Sequence, residues 1–349
     1  MRRIKKILAF IIVFSIVIIE LTASISKAMI IPEGRPIKVV GIVYTFDDIF
    51  ISLIKKSLED IQKENEGKFE LTFFDSKSNP TIQSENIDKS IEEDFDLILL
   101  NMVENKKEVI EDVFTKFRKK NVPIILIGPN IPITNAFNTY SKAFFIGSDP
   151  IESGIIQGKL IADTWNVNKE VMDKNKDDTM QYILIKGKSS SKYTTIRSKY
   201  SIDTINDLGI KTQELISIGA DWNRELARNS ILSLFLKYGN KIEAIISNND
   251  TMAIGAIEAL QQYGYNKGNN LKTIPIFGFD GIEEGKEFVK KGYMIGTVFQ
   301  DPAIIAKAIY IVGNNLLSDK IPTYGTNYKI NGKEIIVPLA YQPYTTATN

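Results

Sequence analysis

The chain has 349 residues, of which 44% are hydrophobic, and this length fits about two domains of roughly 150 residues each. Its formal net charge of +1 at pH 7 favours neither a nucleic acid nor a membrane surface as a partner. The sequence contains no cysteine and no histidine, which excludes thiol nucleophiles, thiolate zinc sites and catalytic triads built on histidine.

At the N-terminus, residues 1–28 predict an export signal. Four basic residues precede a 13-residue apolar run at 7–19, and Ser-Lys-Ala at 26–28 fits a small-x-small cleavage site. The run is shorter than the ~18 residues of a membrane-spanning helix, so cleavage after Ala28 is favoured over an uncleaved N-terminal anchor. In either case we expect the rest of the chain to be exported, to the periplasm, the cell surface or the extracellular space.

Beyond residue 36, apolar runs alternate with amphipathic patterns. The first part predicts strands at 38–45, 69–75, 96–101 and 123–128 and helices at 49–64, 80–93 and 106–120. After turn residues at 129–132, the pattern predicts strands at 143–147, 181–186, 211–216, 244–246, 273–280 and 294–299 and helices at 150–165, 194–208, 222–238, 250–260, 282–291 and 302–317. Such alternation is typical of parallel β-α-β units, so we expect an α/β fold with two successive doubly wound halves.

Polar side chains follow four of the predicted strands at the point where each strand ends. They lie at 44–50, at Asn101, at 248–250 and at Asp280. Because the carboxyl ends of parallel strands gather at one edge of a sheet, these groups indicate a ligand site. Carboxylates and amides bind paired hydroxyls, and the rings of Phe50 and Trp222 would cover the C–H faces of a polyhydroxylated ligand. Taken singly, each polar residue is equally well a helix cap or turn residue, and each ring a core residue.

A polar insert at 173–181 has oxygen-bearing side chains at the spacing of an EF-hand calcium loop. Positions 1, 3, 5 and 9 of that loop are Asp173, Asn175, Asp177 and Gln181, and the carbonyl of Thr179 falls at position 7. Two positions depart from the pattern, because Asp178 stands where a glycine makes the turn and Leu184 where a glutamate closes the site. An exposed acidic loop is the alternative interpretation.

Two enzyme-like patterns are weak. The Lys-Gly-Lys-Ser run at 186–189 lacks the spacing of a phosphate-binding P-loop. The tandem carboxylates Asp47 and Asp48, with Asp280, would be the basis of a glycosidase, but they form no convincing acid and base pair. We therefore expect a binding protein and not an enzyme.

Several segments resemble, in the same order, the bacterial galactose/glucose-binding proteins, which are periplasmic receptors of sugar ABC transport and chemotaxis. The segments include YTFDDIF, FFIGSDPIESGIIQGKLIADTW, DKNKDDTMQ, ISNNDTMAIGAIEAL, IFGFDG and GTNYKINGK. The resemblance covers 36 to about 341. It implies a type I periplasmic binding protein fold, with one lobe from 36–128 and 301–336, another from 129–300 and 337–349, and hinge crossings near 128–130, 300–301 and 336–337.

The resemblance also implies a set of sugar contacts. Those that keep the family's residue type are Tyr44, Asp48, Phe50, Asn101, Arg197, Trp222, Asn249 and Asp280. Three contacts differ, because Ser191 stands where the family has a histidine, Tyr193 where it has an aspartate and Gln300 where it has an asparagine. Losing a charged acceptor costs about 1.5–3 kcal/mol, or about tenfold to hundredfold in affinity. A pentose, a different hexose and weak binding all remain open.

The same resemblance bears on the calcium loop. It implies a structural Ca²⁺ held by Asp173, Asn175, Asp177, Thr179 and Gln181. The bidentate carboxylate that the loop itself lacks falls on Glu243, in the segment just before the predicted strand at 244–246.

These observations predict an exported receptor that closes its lobes on a monosaccharide and delivers it to a membrane ABC permease. The alternative is a secreted or membrane-anchored sensor that signals to a histidine kinase or chemoreceptor. As a transport receptor the chain is expected to be a monomer. A sugar-responsive repressor of the same fold is rejected, because the start of the chain is an export signal where a repressor needs a helix-turn-helix.

Overall fold

The computed structural model describes residues 34–128, 134–268 and 272–346. The export signal predicted at 1–28 and the turn segment predicted at 129–132 lie outside these ranges. The described residues from 36 onward form one compact unit. Among the described residues, no helix combines the length and the apolar character needed to cross a membrane.

The strands and helices alternate along the chain. The strands are β1 (Ile37–Val43), β2 (Phe69–Asp75), β3 (Leu97–Leu100), β4 (Ile124–Leu126), β5 (Ala143–Gly147), β6 (Thr179–Lys186), β7 (Lys211–Gly219), β8 (Ala244–Ser247), β9 (Ile276–Phe277), β10 (Gly296–Phe299), β11 (Lys329–Asn331), β12 (Glu334–Ile336) and β13 (Gln342–Thr345). The helices are α1 (Ile49–Glu64), α2 (Pro80–Glu92), α3 (Lys107–Lys120), α4 (Asn135–Thr139), α5 (Pro150–Met172), α6 (Lys192–Asp207), α7 (Arg224–Tyr238), α8 (Asp250–Gln262), α9 (Glu283–Lys290) and α10 (Pro302–Leu317).

These strands form two sheets, and each is the centre of one lobe. The first sheet has the order β11-β12-β5-β4-β3-β1-β2, and the second has the order β13-β10-β9-β8-β6-β7. Pairing is parallel except at one edge of each sheet, where β11 pairs with β12 and β13 pairs with β10 in antiparallel fashion. The predicted α/β fold class is thereby confirmed.

The central strands are largely apolar because helices cover both faces of each sheet. All residues of β3, β4 and β8 are buried. Helix α8 is buried on nearly all sides, from Met252 to Leu260, since it lies between α7, α9 and the second sheet. This rigid frame fixes the strand ends from which the candidate site is built.

One predicted lobe boundary is wrong. The prediction assigned 129–147 to the second lobe, but β5 pairs with β4 in the first sheet, with Ile124 opposite Ala143. Helix α4 also belongs to the first lobe, because the Ala136 N–H donates to Oε1 of Glu111 at 3.1 Å. The first crossing therefore lies after β5, at 148–149, while the other two lie between β10 and α10 and between β12 and β13.

Two element ends also differ from the prediction. Helix α5 continues past 165 to Met172, with non-helical dihedral angles at Asn168, whose side-chain amide donates to the Thr164 carbonyl at 2.9 Å. The strand predicted at 273–280 is regular only at Ile276–Phe277. At the end of this segment the backbone leaves the β region, because Asp280 has a φ of +100°. Asp280 therefore forms only an isolated bridge to Phe299.

Candidate functional site

One cavity lies where the carboxyl ends of the strands of both sheets meet. It contains about 820 Å³ of empty space and is partly open to solvent. All the predicted sugar contacts line it, namely Tyr44, Asp48, Phe50, Asn101, Ser191, Tyr193, Arg197, Trp222, Asn249, Asp280 and Gln300. Because they follow seven different strands, only the packing of the two sheets brings them together.

The Asp48 carboxylate is fixed at the start of α1. Its Oδ1 accepts hydrogen bonds from the N–H groups of Phe50 at 3.0 Å and Ile51 at 3.2 Å, so it caps the helix. Its Oδ2 accepts from the Tyr44 hydroxyl at 2.5 Å. Burial raises the pKa of Asp48, and the bonds from Tyr44 and the two N–H groups counteract this rise. The residue is therefore both a cap and a cavity group.

Asn101 ties together three strand ends of the first lobe. Its Oδ1 accepts from the Tyr44 N–H at 3.2 Å, and its Nδ2 donates to the Ile127 carbonyl at 2.9 Å. The fit is close, because a Cβ at Gly128 would lie 1.9 Å from this Nδ2. One N–H of the amide and a lone pair of its oxygen remain for a ligand.

Arg197 supplies a buried positive charge from α6. Its Nε donates to Oγ of Ser153 at 3.1 Å, and its Nη1 donates to the Asn248 carbonyl at 2.6 Å. The guanidinium carbon lies 3.5 Å from the centre of the Phe279 ring, in a cation–π stack. Burial lowers the pKa of Arg197, and the charge of Asp280 opposes that change. The Arg197 side chain is therefore held rigidly, and part of its guanidinium group is free to donate to a ligand.

Asp280 faces this arginine in a strained backbone conformation. A φ of +100° is unusual for a non-glycine residue, and such strain is concentrated at functional sites. The Gln300 side-chain amide donates to its Oδ1 at 2.6 Å. Burial raises the pKa of Asp280 well above its usual value, while Arg197 lowers it. Gln300, one of the three residues that differ from the family type, thus orients this carboxylate.

Asn249 completes the second-lobe wall at the start of α8. Its Oδ1 accepts from the Met252 N–H at 3.0 Å, which makes it the helix cap, and its amide nitrogen has no partner among the described residues. Asn249 therefore caps helix α8 with its side-chain oxygen and also lines the cavity, so both interpretations of this residue fit the structure.

Trp222 lies on a tight turn after β7. It has a φ of +66°, and Asp221 before it has a φ of +49°. The indole packs on Gly187, where a Cβ would come within 2.2 Å of the ring. The position of the Trp222 ring therefore depends on Gly187, the residue that directly follows β6.

We expect Gly187→Ala to move the indole and to lower sugar affinity by up to about tenfold, the usual value of one aromatic contact. Titration calorimetry measures the affinity, and thermal unfolding checks the fold. The matched control is Gly219→Ala, since a Cβ there meets nothing within 4 Å. Equal affinities for the two variants would contradict the role given to this packing.

The two altered residues of α6 differ in their surroundings. Ser191 is buried, and its hydroxyl makes no capping hydrogen bond. The Tyr193 hydroxyl accepts from the Ser148 N–H at 3.1 Å and would lie 2.2 Å from a Cβ at Gly147. The ring of Tyr193, from the second lobe, therefore closes one side of the cavity by packing against the end of β5 in the first lobe.

Two polar residues of the cavity wall were missed by sequence reasoning. Lys188 follows β6, in the run that was discounted as a P-loop, and Ser148 follows β5. The rule that polar residues at strand ends indicate a site would have found both.

The predicted calcium ligands are hydrogen-bonded neighbours at the far end of the second lobe. Both Glu243 oxygens face the loop, accepting from the N–H groups of Lys174 at 2.6 Å and Gln181 at 3.0 Å. Oδ2 of Asp177 accepts from the side-chain amides of Asn175 and Gln181, each at 2.9 Å. Within the described ranges, no three Asp, Glu, His or Cys side chains form a group able to hold a metal ion, so amide and carbonyl oxygens would have to complete the set.

The turn at position 6 of this loop is preserved without glycine. Asp178 has a φ of +63°, in the left-handed region that aspartate tolerates better than most residues. Its carboxylate forms an ion pair with Lys169 outside the loop. The Asp173 oxygens accept from the N–H groups of Asp177 at 3.2 Å and Asp178 at 3.1 Å, which closes the turn. The all-oxygen donor set fits a hard cation such as Ca²⁺.

Comparison with known proteins identifies the family. The periplasmic binding protein domain matches residues 39–321. The D-galactose/methyl-galactoside binding periplasmic protein MglB of Haemophilus influenzae is 33% identical, over 85% of this chain and 86% of that one. The ribose import binding protein RbsB of the same organism is 26% identical, over 79% of this chain and 84% of its own length.

Solved structures share the fold. The myo-inositol binding protein of Caulobacter superimposes with a TM-score of 0.72 at 18% identity, over 91% of this chain and 96% of that one. GanP, a glucose-galactose binding protein from Geobacillus stearothermophilus, gives a TM-score of 0.67 at 16% identity, over 90% and 98%. The resemblance stated from the sequence is confirmed, and the chain belongs to the periplasmic binding protein family.

Proposed function

We propose that this protein is an exported receptor that closes its two lobes on a monosaccharide and delivers it to an ABC permease. The observation that carries the proposal is a cavity lined by carboxylates, amides and an arginine from both lobes, together with the rings of Phe50 and Trp222. This combination suits a ligand with hydroxyl groups and C–H faces. The relatives are named as sugar-binding proteins, which supports a sugar ligand and a binding rather than a catalytic role.

Binding would favour the closed arrangement because the ligand contacts both lobes at once. Asp48 and Asn101 belong to the first lobe, whereas Arg197, Asn249 and Asp280 belong to the second. A ligand stabilises a conformation only through its differential contacts, and a sugar bridging the two sets makes all of its contacts in the closed form alone.

Titration calorimetry with glucose, galactose, xylose and arabinose tests this function. We expect a saturable heat with at least one of the four, from the protein that spans residues 36–349. Xylose and arabinose are included because Tyr193 narrows one side of the cavity. If none of the four sugars gives a binding heat, the proposal for common monosaccharides is wrong.

A structural Ca²⁺ in the 173–181 loop is the second part of the proposal. The ligands would be Asp173, Asn175, Asp177, Thr179, Gln181 and Glu243. The support is an all-oxygen donor set in one loop, to which the carboxylate of Glu243 is hydrogen-bonded from just before β8. The ion would tie the end of α5 to β6 and β8, and so stabilise the second lobe.

A sensor that signals to a histidine kinase or chemoreceptor is the second candidate. It is favoured by the altered contacts Ser191 and Tyr193 and by an ion pair between Lys192 and Glu334 that links the two lobes directly. Cross-linking in membranes of the native cell would separate the candidates. Capture of permease subunits supports transport, and capture of a histidine kinase or chemoreceptor supports sensing.

A further inference from the structure

Lys188 is a cavity residue to which no predicted contact assigns a role. It lies on the turn that leads from β6 to α6, and the backbone of this turn is firmly held. The Gly187 N–H donates to Oδ1 of Asn248 at 3.2 Å, and the Ser191 N–H donates to the Lys188 carbonyl at 3.0 Å. The side chain therefore enters the cavity from a fixed position.

The ammonium group of Lys188 is half-buried without a hydrogen-bond acceptor. It lies 4.1 Å from the centre of the Tyr44 ring, which belongs to the opposite lobe. Across the part of the chain that the structure describes, no hydrogen bond or ion pair to this ammonium occurs. Burial lowers the pKa of Lys188, and the charges of Asp221 and Asp48 raise it. Within the described residues, the three N–H donors of this ammonium therefore meet an aromatic ring and no acceptor.

The neighbouring side chains of the same segment are poorly placed to donate a hydrogen bond to a ligand at this point of the cavity. The Tyr193 hydroxyl is engaged with the Ser148 backbone, and Ser191 has a short side chain. Arg197 already uses two of its nitrogens on Ser153 and Asn248. Lys188 is therefore the cationic group of this segment with all three of its N–H donors still available, whereas Arg197 has only part of its guanidinium free.

We propose that Lys188 binds the sugar directly, donating to one hydroxyl or ring oxygen beside Tyr44, and that it determines which sugar is accepted. This inference rests on the proposed function, since it assigns a residue to the same ligand. A ligand with an oxygen acceptor at this point gains a charge-assisted hydrogen bond from the second lobe. A ligand without that oxygen leaves the ammonium unpaired in the closed cavity.

The test measures sugar affinity in Lys188→Met and in a matched control. Lys186→Met is that control, because Lys186 is two residues away and lines the groove between α6 and β7 on the other side of the strand. We expect Lys188→Met to weaken binding about tenfold to hundredfold and Lys186→Met to leave the affinity unchanged. Equal affinities in the two variants would overturn the proposal.

Monodeoxy and ring-thio analogues of the sugar that binds separate direct contact from a role in holding Tyr44. If Lys188 contacts the sugar, one analogue is penalised in the unmodified protein, and this penalty disappears in Lys188→Met. If every analogue carries the same penalty in both proteins, Lys188 only positions Tyr44 and the proposal fails. If a sugar binds but no analogue penalty depends on Lys188, only the inference about Lys188 is wrong. If no sugar binds to the unmodified protein, the proposed function is wrong as well.

Discussion

Replacing Asp48 with asparagine is expected to lower sugar affinity by about a hundredfold. A hydrogen bond to a charged group contributes about 1.5–3 kcal/mol, and the change also replaces the oxygen that accepts from Tyr44 with an amide nitrogen. The fold should survive, because the asparagine oxygen can still accept from the N–H groups of Phe50 and Ile51. Titration calorimetry gives the affinity, and thermal unfolding verifies that the helix cap is intact.

The matched control for this variant is Asp47→Asn. Asp47 precedes Asp48 in the sequence, but it is exposed and does not line the cavity. We expect its affinity to equal that of the unmodified protein. If both variants lose the same amount of sugar affinity, the loss is caused by the removed negative charge alone. The direct contact between Asp48 and the sugar is then contradicted.

Removal of calcium is expected to lower the unfolding temperature by about 5 °C. An ion present at a hundred times its dissociation constant stabilises a folded protein by about 2.7 kcal/mol. In a protein of this size 1 kcal/mol shifts the midpoint by about 2 °C, the low end of the range for domains of roughly 150–250 residues. The measurement is thermal unfolding in excess chelator, repeated after addition of Ca²⁺. An unchanged midpoint would show that the loop holds no stabilising ion.

Two variants locate the ion in the loop. Glu243→Gln should abolish the difference between chelator and calcium, because it removes the carboxylate that reaches the loop from the start of β8. Asp178→Asn should preserve that difference, since its side chain faces Lys169 and asparagine also tolerates a φ of +63°. A calcium response that is lost in both variants, or in neither, would contradict the assigned ligand set.

The alternation of strands and helices could be predicted from local sequence. A strand covered on both faces is an apolar run, as β3 and β8 are, and an amphipathic helix repeats its apolar residues every three or four positions. Residues that cap helices were also evident, because Asp48 and Asn249 directly precede α1 and α8. Polar residues at strand ends then indicated a common edge, since parallel strands of one sheet end on the same side.

Other features depend on contacts between distant segments. The sheet that β5 joins is decided by its pairing with β4 and β12, and no periodicity within residues 143–147 carries that information. The φ of Asp280 is likewise set by its place between Phe299 and Gln300 rather than by its own preference.

The sequence by itself determined the fold class, the family and most of the cavity wall, because these depend on residue types at strand ends. Only the tertiary structure decided where the chain first crosses between the lobes and which polar groups of the cavity remain free. Lys188 illustrates the reason: its ammonium lacks an acceptor because the ring of Tyr44, 144 positions earlier in the chain, occupies the space beside it. A contact of that kind exists only after the two lobes have folded and met.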